Sequence, residues 1–142
     1  MDCASLMKTD IECCEAEDTV EHAARRMASR GIGFVPVCDA DGNVIGTLTD
    51  RDIVVRVVAQ GRLALGTTLS EVATREVICC NASDDLSVAE ALMSKHKKSR
   101  IMCLDERGRM VGVISLSDIA RVETGARSSA LLRSVAQREA SL

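Results

Sequence analysis

The sequence predicts an α/β (α+β) fold in which a β-α-β-β-α unit occurs twice. Three observations predict it. Residues 11–53 align with residues 77–119 without a gap, and each copy shows the same order of strand-like and helix-like segments. The composition, 46% apolar and 27% charged, is that of a globular domain. One unit alone would leave an apolar side of its sheet uncovered, so the two units are expected to pack with pseudo-two-fold symmetry.

The repeat has a spacing of 66 residues, and eleven of its 43 aligned positions are identical. The identical pairs are Cys13/Cys79, Cys14/Cys80, Ala16/Ala82, Asp18/Asp84, Ala23/Ala89, Met27/Met93, Asp39/Asp105, Gly42/Gly108, Gly46/Gly112, Asp52/Asp118 and Ile53/Ile119. Conservative pairs such as Thr49/Ser115 extend the match. The sequence therefore contains an internal duplication.

Each copy starts with a short strand-like run, residues 10–14 or 76–80, and continues into a helix. Apolar residues at positions 20, 23, 24 and 27 lie on one helical face. The predicted N-caps are Asp18 in the first copy and Ser83 or Asp84 in the second. A hairpin with a polar, glycine-ended turn follows. A last helix begins at Thr49 or Ser115, and in the first copy it runs to Gly61.

The predicted domain organisation follows from these elements. It consists of a first domain at 5–62, a connector at 63–72, a second domain at 73–125 and a tail at 126–142. Leu131, Leu132 and Val135 give the tail a weak helical stripe. Two interpretations of the tail stay open, a docked helix and a disordered segment.

Composition and charge exclude several classes of protein. The chain has one Phe, no Trp or Tyr and a net charge of −3, which argues against nucleic-acid binding. It has neither an apolar run long enough for a membrane span nor a secretion-signal pattern, so a soluble cytoplasmic protein is expected.

The seven cysteines are predicted to be reduced, because thiols in the cytoplasm rarely form disulfides. The doublets Cys13-Cys14 and Cys79-Cys80 do not indicate a metal site, since adjacent residues on a strand point to opposite faces. No histidine is found near them at ligand spacing, so no bound metal is expected. Neither His22 nor His96 has a nucleophile at triad-like spacing, and we expect no catalytic residues.

The repeated Thr/Ser-x-x-Asp pattern, Thr49 to Asp52 and Ser115 to Asp118, allows two interpretations. The hydroxyl and the acid can simply cap a helix. The same groups also suit a ribonucleotide, with its diol on the Asp and its phosphate on free N–H groups of the helix end. In that interpretation Gly46 and Gly112 permit close approach of the backbone.

The unit order, together with "GIGFVPVCDADGNVIGTLTDRDI" and its echo "KSRIMCLDERGRMVGVISLSDI", resembles a pair of CBS domains (cystathionine β-synthase domains), also called a Bateman module. The resemblance covers residues from about 5 to 124. It implies a standalone CBS domain-containing protein that forms homodimers. It also implies the binding of adenosine-containing ligands, AMP, ADP, ATP or S-adenosylmethionine, in clefts between the repeats.

The resemblance implies a set of ligand-binding residues. They are Asp52 and Asp118 for ribose, Thr49 and Ser115 for ribose or phosphate, Ile11, Glu12, Cys13, Val77, Ile78 and Cys79 on the first strands, Val35, Pro36, Ile101 and Met102 on the strands that close the pocket, and Arg100 for phosphate. Arg51 is a further candidate for phosphate, because a bound anion would rationalise a cation in the first turn of a helix. The basic run around Arg100 is also explained by a solvated helix end, so both interpretations stay open there. The two sites are not expected to be equivalent.

The predicted function is ligand-sensing regulation, exerted in trans on an unknown protein target. A structural or dimerisation scaffold that binds no ligand is the alternative. The expected ligand is a regulator, and no intrinsic cofactor is predicted.

Overall fold

The computed structural model describes residues 1–122 and 125–140 and confirms the α/β fold with two β-α-β-β-α repeats. The strands are β1 (Cys14–Glu15), β2 (Phe34–Cys38), β3 (Val44–Thr49), β4 (Cys79–Asn81), β5 (Arg100–Leu104) and β6 (Met110–Ser115). The helices are α1 (Cys3–Leu6), α2 (Val20–Arg30), α3 (Asp50–Ile53), α4 (Leu69–Val72), α5 (Leu86–His96), α6 (Leu116–Val122) and α7 (Ala126–Ala140). A π-helical segment, Val54–Val58, continues α3, and a 3₁₀ turn covers Ala64–Gly66.

The chain forms two compact units. The first unit is Glu12–Val77, and the second unit combines Met1–Ile11 with the chain from Ile78 onward. Each unit has a three-stranded sheet, of order β1-β2-β3 or β4-β5-β6, in which the first strand is parallel to the middle one. The middle and last strands are antiparallel and form the predicted hairpin. Because parallel strands need a crossover, α2 and α5 connect them.

The first unit is held together by an aliphatic core. Its buried members are Cys14, Val20, Ala23, Met27, Val35, Val37, Leu48, Val57, Leu69 and Val72. The predicted inner face of α2 is confirmed at positions 20, 23 and 27. Val35 and Val37 enter the core from alternate positions of β2, as the two-residue period of a strand requires.

The first long helix of each unit is capped one residue later than the sequence predicts. Thr19 caps α2 and Asp85 caps α5, each through a side-chain oxygen that accepts a first-turn N–H. The predicted caps Asp18 and Ser83 or Asp84 are therefore wrong. The carboxylates of Asp18 and Asp84 instead accept the N–H three residues earlier in the chain, which closes the turn before the helix.

The predicted connector is a folded part of the first unit. Thr68 forms a capping box with Glu71 at the start of α4. Leu69 is completely buried in the core of the unit, and Val72 is 4% exposed. The segment also reaches the sheet, because Thr74 and Thr47 exchange two backbone hydrogen bonds of 2.9 Å.

The N-terminal segment packs with the second unit. Cys3 is completely buried in the core of that unit, and its N–H donates to the carbonyl of Asp84 at 2.8 Å. Lys8 exchanges two backbone hydrogen bonds with Val113 of β6, at 2.9 and 3.0 Å. Lys8 corresponds to Thr74 in the repeat, and the two residues extend the sheets in the same way, Lys8 beside β6 and Thr74 beside β3.

The tail forms a helix that docks on the second unit, so the docked-helix interpretation is correct for Ala126–Ala140. Leu131 and Val135 are buried in the core of that unit, whereas Leu132 is 56% exposed. The Ser134 hydroxyl donates to the Ser94 carbonyl at 2.7 Å. None of the helices in the described ranges combines the length and hydropathy that crossing a bilayer requires.

The expectation that every thiol is reduced is wrong at one pair, since Cys13 and Cys38 form a disulfide. The pairing of β1 with β2 brings them together, with Glu15 beside Cys38 and a Cα–Cα distance of 5.9 Å between the two cysteines. In the second unit Leu104 replaces Cys38, so Cys79 lacks the equivalent partner. Among the five free thiols, those of Cys3, Cys14, Cys80 and Cys103 are buried.

Thiol counting checks the disulfide. Protein purified without reductant and then denatured is expected to take up five equivalents of iodoacetamide, and after reduction seven. Reduction is also expected to lower the free energy of unfolding by about 3 kcal/mol, because it opens a loop of 25 residues. Seven labels without reductant would show that the disulfide does not form.

Candidate functional site

Thr49 and Asp52 form a capping box at the junction of β3 and α3. The Thr49 hydroxyl accepts the Asp52 N–H at 3.1 Å, and Asp52 Oδ2 accepts the Thr49 N–H at 2.9 Å. The structural interpretation of this motif is therefore confirmed. The box fixes the orientation of the carboxylate and uses one of its two oxygens.

The second oxygen of Asp52 lies at the edge of the first unit. Arg56 approaches Oδ1 to 3.5 Å, and the two side chains are 15% and 42% exposed respectively. Arg51 is exposed on the same turn, and its guanidinium forms no ion pair with any carboxylate of residues 1–122 and 125–140. The partly accessible carboxylate of Asp52 therefore lies beside the Arg56 side chain, and Arg51 is exposed on the same turn.

The equivalent turn of the second unit is more enclosed. Ser115 and Asp118 repeat the two reciprocal hydrogen bonds, at 2.9 and 3.2 Å. The side chain of Asp118 is only 4% exposed, and its Oδ1 is 3.3 Å from Lys8 Nζ and 3.6 Å from Arg121. The oxygen that would receive a ribose diol already faces two cations of the chain.

The pKa of Asp118 lies below its usual value. Burial alone would raise it, but hydrogen bonds from the backbone and hydroxyl of Ser115 and the Lys8 ammonium outweigh that effect. Since the folded-state pKa is lower than the unfolded one, this group stabilises the fold above pH about 4, and the contribution is lost as pH falls through the folded pKa.

Replacing Lys8 by threonine, the residue that takes the equivalent place in the first unit as Thr74, tests this ion pair. Lys8→Thr is expected to raise the pKa of Asp118, because the neutral side chain no longer stabilises the carboxylate. The measurement is a carboxyl-carbon NMR titration, with Lys95→Thr as a control on an exposed lysine. An unchanged Asp118 pKa in Lys8→Thr would contradict the contact.

The two glycines before the motif allow close approach of the chain itself. A Cβ on Gly46 would lie 2.8 Å from the Thr74 carbonyl oxygen, and one on Gly112 would lie 2.6 Å from the Met7 side chain. The expectation that this space serves a ligand is therefore wrong. The glycines are needed because the backbone of Thr74 lies against β3 at Gly46, and the side chain of Met7 lies against β6 at Gly112.

The expected anion site at the start of α3 is also wrong, because its first N–H groups are already used. The Asp50 N–H donates to the Gly33 carbonyl at 3.0 Å, and the Arg51 N–H to the Asp50 carboxylate at 2.8 Å. The Asp52 N–H donates to Thr49. The Arg51 guanidinium is what remains on this turn to contact a phosphate.

Most of the residues predicted on the first strands lie just before them. Ile11, Glu12 and Cys13 precede β1, Val77 and Ile78 precede β4, and only Cys79 is in a strand. The predicted strand bounds are wrong there because the paired register begins at Cys14 and Cys79. Glu12 forms ion pairs with Arg26 at 3.0 Å and Arg30 at 3.6 Å.

The residues predicted on the pocket-closing strands divide between two faces. Val35 and Ile101 lie in the hydrophobic cores of their units, whereas Pro36 and Met102 lie on the opposite faces of β2 and β5. Neighbouring residues of a strand cannot line one surface together, so a ligand on the face of Pro36 and Met102 would not contact Val35 or Ile101. Arg100 begins β5 directly opposite Ser115 and is half-buried.

The structure brings together three side chains that the sequence interpretation missed. One ligand atom each of Cys14, Asp18 and His22 lies within 4.8 Å of the other two. The expectation that no histidine approaches the cysteine doublets is therefore wrong. The sequence signal that could have revealed this cluster is the regular spacing, since Cys14, Asp18 and His22 follow one another at intervals of four residues. The three residues lie on β1, in the turn after it and at the start of α2. Burial raises the pKa of Cys14.

Comparison with known proteins identifies the family. The sequence profile described as the CBS domain matches residues 3–59 and 69–125. CBS domain-containing protein YhcV of Bacillus subtilis is 35% identical over 80% of this chain and 79% of its own length. Hypoxic response protein 1 of Mycobacterium tuberculosis is 31% identical over 82% of this chain and 80% of its own length.

Solved structures agree with the sequence comparisons. A structure of Hypoxic Response Protein I with two coordinated zinc ions matches with a TM-score of 0.77 and 29% identity, over 87% of this chain and 100% of that one. CBS domain protein PAE2072 from Pyrobaculum aerophilum, complexed with AMP, matches with a TM-score of 0.76 over 96% of this chain and 99% of that one. At 22% identity the second match shows the fold alone. With two matched repeats and two relatives above 30% identity, this chain belongs to the CBS domain family.

Proposed function

We propose that this protein is a regulatory module that binds an adenosine-containing nucleotide at the Thr49–Asp52 turn of the first unit. The observation that carries the proposal is the carboxylate of Asp52, which is oriented by the capping box and still partly accessible. Adenosine compounds are the ligand class that the family resemblance implies, and the AMP complex of PAE2072 is an example of this fold with such a ligand. Regulation then acts in trans on another protein, and catalysis is not part of the function.

The chemistry of the turn supports a ribonucleotide. Asp52 Oδ1 can accept a hydrogen bond from one ribose hydroxyl, and the free lone pair of Oδ2 from the other. The exposed guanidinium of Arg51 is available for the phosphate, for which arginine is well suited. Arg56 must swing away from Oδ1, and its 42% exposed side chain has room in solvent to do so.

The second unit supports a weaker site or none. Lys8 and Arg121 contact the Asp118 oxygen that a ribose would need, and burial limits access to it. Binding there requires Lys8 to leave a carboxylate that would lose its compensating charge. The proposed stoichiometry is therefore one nucleotide per chain, at Asp52.

The proposed mechanism is a population shift. A nucleotide changes the balance between two conformations only if it binds one of them more tightly than the other. The favoured conformation would then be recognised by the partner protein. S-adenosylmethionine lacks a phosphate, so Arg51 favours AMP, ADP or ATP over it.

A thermal-shift series tests the proposal. AMP, ADP and ATP are expected to raise the Tm of the protein, because a ligand of the native state stabilises it by mass action. S-adenosylmethionine is expected to raise it less, and CMP is the control for nucleotide charge. With one Phe and no Trp or Tyr the protein barely absorbs near 260 nm, so a co-purified adenine compound would also give a clear absorption peak there. No shift with any adenosine compound would favour the ligand-free scaffold.

We further propose that the protein is a homodimer. Val54 and Val58 lie one helical turn apart after α3, and they are 58% and 67% exposed. Val58→Asp is expected to convert a dimer into a monomer, because it places a charge on this apolar face. Light scattering after size exclusion measures the mass, and Val88→Asp, at a 41% exposed valine of α5, is the control. A dimeric Val58→Asp variant would contradict this interface.

A further inference from the structure

Three side chains of the first unit converge at the start of α2. Cys14 lies on β1 and is 1% exposed, Asp18 lies in the following turn, and His22 lies in the first turn of α2. His22 Nε2 is 3.8 Å from Asp18 Oδ2, and a sulfur, a carboxylate oxygen and an imidazole nitrogen all lie within 4.8 Å of one another. Tetrahedral Zn²⁺ holds such atoms about 3.3–3.5 Å apart, so a closure of up to about 1.5 Å would bring them to coordination distance.

Comparison with the second repeat shows which residues of this cluster the fold itself requires. Cys80 and Asp84 occupy the places of Cys14 and Asp18, and both aspartates close the same turn, through hydrogen bonds of 2.8 and 2.9 Å. The position of His22, however, is taken by Val88, which is 41% exposed. The fold therefore accepts an ordinary exposed side chain at this place, and packing does not account for the imidazole of His22.

The charges near the three side chains suit a divalent cation. A thiolate and a carboxylate supply two negative charges, and a neutral imidazole adds a third ligand without charge. The competing cation is Arg26, whose guanidinium hydrogen-bonds the Cys14 sulfur and also pairs with Glu12 at 3.0 Å, so metal binding requires it to release the sulfur and keep Glu12. The side chains of Asp18 and His22 are 31% and 48% exposed, so an ion can enter from solvent and a water can complete the tetrahedron.

We propose that Cys14, Asp18 and His22 form a site for a thiophilic divalent cation of the Zn²⁺ class. A mixed sulfur, nitrogen and oxygen donor set favours Zn²⁺ over Mg²⁺ or Ca²⁺, which prefer oxygen ligands alone. Binding replaces the proton of the Cys14 thiol by the ion and releases that proton to solvent. The site ties β1 to α2 within the first unit, and it does not depend on a nucleotide at Asp52.

Metal titration of the disulfide-containing protein tests the proposal. Equilibrium dialysis against Zn²⁺ is expected to give one bound ion per chain, and Co²⁺ a near-ultraviolet sulfur-to-cobalt absorption in a region free of Trp and Tyr. His22→Val, which copies the second repeat, is expected to weaken binding at least 10-fold and to alter the cobalt spectrum. His96→Val is the matched control at the other histidine of the chain and should bind as the wild type does.

Three results would overturn the proposal. They are the absence of Zn²⁺ binding by the wild type, undiminished binding by His22→Val, and equal losses in His22→Val and His96→Val. A circular dichroism melt of each variant separates loss of binding from loss of folding. Because His22 is exposed, His22→Val is expected to shift stability by no more than about 0.5 kcal/mol.

Discussion

Asp52→Asn is expected to weaken nucleotide binding about 10- to 150-fold while leaving the fold intact. A hydrogen bond to a charged group contributes about 1.5–3 kcal/mol, which corresponds to that range of dissociation constants. The asparagine carbonyl can still accept the Thr49 N–H, so the capping box keeps its geometry. Isothermal titration with AMP measures the affinity, and a thermal melt of the free variant confirms that it is folded.

Asp118→Asn is the matched variant in the second repeat. Because Lys8 and Arg121 already occupy the free oxygen of Asp118, this change is expected to leave AMP affinity within about twofold of the wild type. Asp118→Asn removes a buried carboxylate whose pKa lies below the usual range. It is therefore expected to lower the free energy of unfolding at neutral pH. Equal losses of affinity in the two variants would contradict the proposed difference between the turns.

Leu69→Ala is expected to lower the free energy of unfolding by about 2–5 kcal/mol. Leu69 is completely buried in the core of the first unit, so truncation leaves a cavity as well as losing buried area. Chemical denaturation at a fixed redox state measures the change. The result bears on the whole segment between the two repeats, because Leu69 and Val72 anchor α4 to that core.

Leu65→Ala is the control for this prediction. Leu65 lies in the same segment but is 72% exposed, so its truncation is expected to change stability by about 0.5 kcal/mol or less. Similar small effects at both positions would mean that the segment is a linker. A large effect at Leu69 alone supports its place in the core.

Local patterns in the sequence were sufficient to predict much of this fold. The 66-residue repeat predicted two equal sets of elements, because duplicated segments with the same apolar periods fold alike. The inner face of α2 followed from the helical period, and the Thr49 cap from its position after a strand. The helix after Thr49 ends before Gly61, whose φ of +69° fits the predicted glycine stop.

What the sequence did not predict depends on contacts between distant parts of the chain. The pairing of Cys13 with Cys38 follows from the register of β1 on β2, which no local pattern reveals. Lys8 and Asp118 are far apart in the sequence. They are in contact because the N-terminal segment packs with the second unit. These two features change the candidate site most, since one affects Cys13 and the other encloses Asp118.

The candidate site was predicted in part. The hydroxyl and carboxylate of each turn do lie together, as their spacing indicated. The sequence could not show that the first-turn N–H groups would be used by Gly33, Asp50 and Thr49. The two-residue period of a strand already placed Val35 and Pro36 on opposite faces, but the sequence could not show which of them faces the core.

The contact between Asp52 and a ribose diol is tested most directly by a double-mutant cycle. AMP and 2′,3′-dideoxy-AMP are titrated into the wild type and into Asp52→Asn, and the four free energies give the coupling between carboxylate and diol. The wild type is expected to bind the dideoxy compound at least 10-fold more weakly than AMP, and the variant to bind the two almost equally. Equal losses in both proteins would mean that Asp52 does not bind the sugar.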